Sequence, residues 1–315
     1  MMHRRSYLLV GVIALSVHSL SAQPGMDPGQ TKIPELFAGE LEDVGPQYLL
    51  LPKASRQAWE LWTDLEITGT SNATLVNENP KFSTITAVQA GVIWHAPVTP
   101  RWTGQFTWEV GARAQTYRYG YLTGMKKIIN YVEVDRNNFD LVGVQVRGTW
   151  WRDHWLASAG LRTSTMHNRA ANHTFYEELA LEWQLFRTWS LNPNRTLAAG
   201  LEGAGRLTNT DSYGILPKGW NDRLEQGLFA VLDQGFGNGW YLQPALRVLA
   251  SHYTQSDRSR TDWHLSGRVA VTHELSRNAD VRLSVGYDQR KSTESDISDF
   301  KKWDLALALS ASWHF

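Results

Sequence analysis

The chain has 315 residues, with 31 Lys and Arg against 31 Asp and Glu, so its formal net charge is zero. No one-signed field exists to recruit nucleic acid. With no Cys there is no disulfide framework, thiol chemistry, Cys-based metal site or lipid-modified N-terminal Cys. No internal run of about 18 apolar residues is present, so the mature chain carries no helical membrane span.

Residues 1–22 read as a secretory signal peptide. Arg4 and Arg5 precede the apolar run Tyr7–Val17, and small residues lead to Ala22, where cleavage is expected. The alternative is a retained N-terminal anchor helix. Residues 23–56 have neither a helical nor a strand period. Pro24, Pro28, Pro34, Pro46 and Pro52 punctuate them, and Glu40, Glu42 and Asp43 form an acidic cluster. This reads as a Pro/Gly-rich periplasmic tail. The other reading is a segment that inserts into the lumen of the following domain, or binds a periplasmic partner through Tyr48–Leu51.

From residue 57 to 315 the texture becomes regular. Side chains of a strand alternate faces, and here twelve segments alternate in polarity. The first, Trp59–Thr68, sets Leu61, Thr63, Leu65 and Ile67 against Glu60, Asp64 and Glu66. The pattern then predicts strands over Ile85–His95, Arg101–Gln115, Asn138–Trp151, Trp155–Ser164, Phe175–Leu185 and Thr196–Leu207. Five more follow over Leu224–Gln234, Trp240–Ser251, Trp263–Leu275, Val281–Arg290 and Trp303–Phe315. In the eighth, Glu225 and Gln226 spoil both phases. In the ninth, Pro244 predicts a bulge or a missing ladder bond. Long connections such as Tyr117–Asn137 and Thr208–Asp222 alternate with short turns such as Pro97–Pro100, Arg152-Asp153 and Gly235–Gly239.

Three features favour an antiparallel transmembrane β-barrel of about twelve strands over a soluble sandwich. An even strand count puts both termini on one side, and that side carries the short turns. Of the 15 Trp, several fall at strand ends on the apolar phase. Trp94, Trp102, Trp150, Trp155 and Trp240 lie on the short-turn side, and Trp263 and Trp303 on the loop side. That is the placement of two interfacial belts, whereas a Trp-rich soluble core would hold them mid-strand. Closure pairs every backbone amide, which lipid demands.

The final strand, Trp303–Phe315, carries Leu305, Leu307, Leu309, Trp313 and the terminal Phe315 on one face. It resembles the closing strand of bacterial outer-membrane β-barrels, with Ala311 smaller than is usual. The resemblance implies a bacterial outer-membrane location after signal-peptide cleavage. It also implies recognition of Trp313 and Phe315 by the barrel-assembly machinery, and contact with outer-membrane lipids and lipopolysaccharide.

The inward phase then lines a lumen. Its charged members are Glu60, Asp64, Glu66, Glu109, Arg113, Arg147, Arg162, Glu178, Glu182, Glu202, Arg206, Arg247, Arg268, Glu274, Arg282, Asp288, Arg290 and Asp304. Their signs are balanced, and a strongly ion-selective pore would show a surplus of one sign. In a narrow barrel they would pair across the lumen. Acids gather on the early strands and Arg on the late ones, which leaves open a transverse field across a small pore.

Barrel lipid hydrolases use a His-x-Ser pair followed by Asn. Here His264-Leu265-Ser266 has the spacing, but Gly267 stands in place of Asn, and the pair lies on the lumen phase. No enzyme, cofactor or metal site is expected, since the remaining His residues show no ligand spacing. The expected function is porin-like or structural, with a narrow diffusion channel as the sharper form. The runner-up is a plugged barrel whose loops at 117–137 and 208–222 bind a surface ligand or partner, and a lipid hydrolase comes third.

Overall fold

The computed structural model describes residues 58–72, 82–120, 138–168, 172–210, 219, 221–255, 260–294 and 299–315. The signal peptide, the tail and the central parts of the long connections lie outside them. Thirteen strands form in chain order. They are β1 (Trp59–Thr70), β2 (Ser83–His95), β3 (Thr99–Arg101), β4 (Gly104–Tyr119), β5 (Phe139–Arg152), β6 (Trp155–Asn168) and β7 (His173–Asn192). The rest are β8 (Arg195–Thr210), β9 (Arg223–Gly237), β10 (Trp240–Tyr253), β11 (Thr261–Ser276), β12 (Ala279–Ser292) and β13 (Phe300–His314).

All pairings are antiparallel between neighbours, β2 pairs with β4, and β1 pairs with β13. The result is a closed barrel of twelve spanning strands, with β3 as an accessory. Closure runs from Glu60 opposite His314 to Thr70 opposite Asp304. At the rim, Trp59 N–H donates to the Phe315 carbonyl at 3.0 Å and Phe315 N–H returns a bond to the Trp59 carbonyl at 2.9 Å.

β3 corrects the expected turn at Pro97–Pro100. β4 pairs first with β3 and then with β2, so β3 continues the line of β2 beyond a break at Ala96–Val98. The reversal itself falls at Trp102-Thr103, where Trp102 has φ +51°. Pro97 and Pro100 lack N–H groups, so the ladder breaks without ending the strand line. β3 projects past the start of β1, where an edge tolerates Pro.

Several strands are longer than the alternation predicts. β4 reaches Tyr119, so Tyr117 and Tyr119, read as loop, lie inside the barrel wall. β7 runs for 20 residues. The ninth strand of the structure resolves the conflict at Glu225 and Gln226: Glu225 is buried inside and Gln226 faces out. At Pro244 the ladder to β9 lapses without a register shift, a missing ladder bond rather than a bulge. Bulges occur elsewhere. Register shifts at Ser190/Asn192, Trp240/Tyr241 and Glu274/Ser276 leave Leu191, Phe236 and Leu275 unpaired, and all three project outward beside short turns.

The outer face is apolar. Val142, Leu181, Leu246 and Leu307 are each more than half exposed. At that exposure each would forgo about 1 kcal/mol or somewhat more if water bathed it. A surface of this kind matches hydrocarbon as its solvent. Trp59, Trp155, Trp189, Trp240 and Trp313 are exposed toward the short-turn end, and Trp263 and Trp303 toward the loop end. These are the two aromatic belts of a membrane-spanning barrel.

Two close approaches demand glycine. The Trp62 indole turns inward over Gly91, where an added Cβ would meet its ring at 2.7 Å. At Gly200 a Cβ would lie 2.3 Å from the Leu185 carbonyl oxygen and 2.4 Å from Phe186 Cβ. Gly200→Val therefore forces backbone apart and is expected to destabilise the barrel by about 1–3 kcal/mol. The check is a lower temperature for conversion from the compact to the unfolded band on detergent gels. Unchanged conversion would show that β7 and β8 are not packed as closely as this.

Candidate functional site

Alternation fixes which side chains enter the lumen. The interior face receives Glu60, Asp64 and Glu66 from β1, Glu109 and Arg113 from β4, Arg147 from β5 and Arg162 from β6. Glu178 and Glu182 come from β7, Glu202 and Arg206 from β8, Arg247 from β10 and Arg268 from β11. Arg282, Asp288 and Arg290 come from β12, and Asp304 from β13. Glu274 departs from the reading: it sits at the β11 bulge beside a turn and is exposed. Trp313 and Phe315 project outward at the short-turn rim.

The charges pair along the wall rather than across the lumen. On β6 to β9, Arg206 lies 2.7 Å from Glu178, 2.8 Å from Glu225 and 3.5 Å from Glu182. Arg162 reaches Glu182 at 2.7 Å and Glu178 at 3.4 Å. Arg223 joins through Glu225 at 2.6 Å, and the Tyr176 hydroxyl donates to Glu178 at 2.7 Å. Arg247 pairs with Glu202 beside this network. Most of these groups are buried, so the Coulombic gain must offset a large desolvation cost, and only a fully bonded network achieves that.

A second network crosses the closure. Arg282 of β12 lies 3.5 Å from Asp64 and 3.9 Å from Glu66 of β1. Ser310 of β13 donates to Asp64 at 3.1 Å, and Thr68 to Glu66 at 2.7 Å. Lys302, fully buried on β13, lies 2.9 Å from Asp304 and 3.5 Å from Asp288. Closure thus answers the expectation of a transverse field. Early acids and late arginines are far apart in sequence but adjacent in the ring, so they neutralise one another locally.

At the short-turn mouth, Glu60 meets His95 at 3.2 Å and His314 at 3.6 Å, and His95 also approaches Glu109 at 3.6 Å. His264 and Ser266 both turn inward, with Ser266 buried.

The interior is not uniformly polar, and sequence reasoning missed this. Toward the loop end, Ile85, Tyr117, Tyr119, Phe139, Leu141, Met166, Phe175 and Tyr176 form one buried cluster. Tyr117 stacks on Phe139 with centroids 4.6 Å apart, and Phe175 meets Phe139 edge-on at 6.0 Å. The register shift opposite Met166 and His167 leaves Phe175 out of the ladder, and both it and Tyr176 are buried. Toward the short turns, Leu156, Phe186 and Ala198 pack with Trp151 and Phe229. The signal for these was the same period 2, extended past the charged positions: Leu156 and Met166 share the phase of Arg162, and Tyr176 and Phe186 that of Glu178.

Between the two apolar clusters lies the charged band. A small cavity of about 40 Å³ opens beside it, lined by Arg147, Glu182, Glu202, Arg206, Glu225 and Arg247, with room for about three waters. Glu182, Arg147 and Arg247 are only half-buried, unlike the buried aromatic lining at the loop end.

An outer membrane channel from Pseudomonas putida F1 aligns over 92% of this chain and 100% of its own, with a TM-score of 0.53 at 9% identity. The chain shares the closed β-barrel fold of that outer-membrane channel. The beta domain of the Bordetella autotransporter BrkA covers 81% of the barrel chain and 100% of its own, at 12% identity and a TM-score of 0.44. LpxR from Salmonella typhimurium covers 78% and 99%, at 10% identity and 0.42. No protein-family model and no curated protein matches the barrel in sequence.

Glu178 is the hub of the barrel's buried network. Glu178→Gln removes one charge from among three arginines and is expected to destabilise by about 3–5 kcal/mol. Glu177→Ala on the outer face, where Glu177 accepts one exposed bond from Asn209 at 2.9 Å, should change stability by no more than about 0.5 kcal/mol. Thermal conversion of the two variants side by side checks the contrast. Equal effects would mean the network contributes nothing.

Proposed function

We propose that the barrel is a porin-like protein of the bacterial outer membrane, a narrow diffusion channel with a charge-balanced lumen. The observation that carries this reading is the charge band itself. The two main carboxylate clusters, around Glu178 and around Asp64 and Glu66, meet arginines on adjacent or next-but-one strands, so neither leaves a one-signed ring facing the path. The half-buried lining at Glu109, Arg147, Glu182 and Arg247, on the short-turn side, suits a vestibule open to small polar solutes.

In this reading a signal peptide at 1–22 is removed during export. The assembly machinery reads Trp313 and Phe315, and phospholipid and lipopolysaccharide contact the apolar belt. The segment 23–56 serves as a periplasmic tail or enters the lumen. A second reading is favoured by one specific observation, the buried aromatic cluster at the loop end. It supports a plugged barrel whose loops bind a surface ligand or partner without transport.

Planar-bilayer recording separates the two. The channel reading predicts small ohmic steps with a cation-to-anion permeability ratio within about twofold of unity, as a lumen without a one-signed ring requires. Folded protein that gives no steps, with or without residues 23–56, would contradict the channel and favour the plugged form.

A further inference from the structure

The outer wall carries a cation at the depth of the aromatic belt that the barrel's own charges leave unanswered. Arg187 of β7 faces outward, half-buried, between the hydrocarbon-facing Leu185 and Leu181 on one side and Trp189 and Leu191 on the other. Its guanidinium carbon lies 5.7 Å from the Trp155 ring and 5.5 Å from the Trp189 ring. Its Nε is buried with no hydrogen-bond partner, and among the described residues no carboxylate pairs with it.

The surroundings share its sign. Arg152 and Arg187 stand on either side of Trp155 in the same outward row, since each is the register partner of Trp155 on its own side. On its far side Arg187 faces Ala199, and Ala199 faces Ala230, so only small side chains neighbour it there. Along the short-turn ends from β3 to β8 the charged residues are Arg101, Arg152, Arg187 and Arg195 against Asp153 alone, which is already 3.5 Å from Arg152.

A guanidinium flanked by two indoles is held in place and shielded from water, which strengthens its pull on an anion. At the depth of an aromatic belt, the anion that a membrane supplies is a phosphodiester. Arg matches it with parallel N–H donors. We propose that Arg187, framed by Trp155 and Trp189, binds the phosphate of a glycerophospholipid in the leaflet on the short-turn side. The acyl chains lie against Leu185 and Leu201, and Ala199 and Ala230 accommodate the headgroup. The site is independent of transport, since Arg187 faces away from the lumen.

The test is native mass spectrometry of the full folded chain in detergent, titrated with phosphatidylglycerol, with diacylglycerol of the same acyl chains, or with inorganic phosphate. Wild type should bind its first phosphatidylglycerol about tenfold more tightly than Arg187→Gln, the range of one charge-assisted pair. Diacylglycerol should bind both proteins equally and weakly, and excess inorganic phosphate should not displace the lipid. Trp155→Leu with Trp189→Leu keeps the charge but removes the frame, and should also weaken binding if Arg187→Gln fails to assemble. Bilayer conductance of the variants should match wild type, so failure here is distinguishable from failure of the channel reading. Equal phosphatidylglycerol binding by wild type and both variants, or displacement by phosphate alone, would overturn the site.

Discussion

Hydrocarbon offers no partner for a peptide N–H or C=O, and the architecture follows from that constraint. A chain of alternating strands can sit in lipid only if the first strand finds the last. Here β1 and β13 pair along their length and exchange terminal bonds at Trp59 and Phe315. That seam is the contact of greatest sequence separation among the described residues, and it leaves no edge in the ring of spanning strands. Among the described residues the one piece of strand beyond it is β3, which lies outside the ring and carries Pro100 at an edge, whereas Pro244 within β10 is accommodated by a lapse in the ladder to β9.

The seam also decides the electrostatics of the interior. A linear reading sees acids early and arginines late. A closed ring sets Asp64 and Glu66 next but one to Arg282, and the apparent asymmetry becomes a set of local pairs. A second set of charges finds partners within the β6–β9 arc, around Glu178 and Arg206. Apolar clusters above and below this band lower its local dielectric and stiffen it. The lumen is thus layered unevenly: toward the loops it is aromatic on the β2–β7 side and ionic on the β9–β13 side, where Arg260, Asp262, Arg290 and Lys302 are buried, and toward the short turns it is aromatic and aliphatic on the β5–β9 side.

What the sequence made legible was whatever depends on period 2 alone. The strand count, the side holding the termini and the inward placement of residues such as Arg162 and Asp288 all follow from alternation. What depends on register was hidden. Bulges that expel Leu191, Phe236 and Leu275 change pairing without changing composition. The loop-end cluster was misread because Tyr117 and Tyr119 look like loop aromatics when nothing shows that β4 continues to meet β2 and β5. The partners of each interior charge were equally hidden, since they are set by which strands become neighbours on closure.

The chain has no Cys, so an introduced pair reports its own geometry without competition. Leu65 and Leu309 face lipid as register partners across the seam. In Leu65→Cys with Leu309→Cys, mild oxidation of the folded protein should form an intramolecular disulfide in high yield, because directly opposed strand residues lie within disulfide reach. The offset pair Leu65→Cys with Leu305→Cys should not form one. Crosslinking of the offset pair, or of neither pair in heat-modifiable folded protein, would contradict the closure on which the account rests.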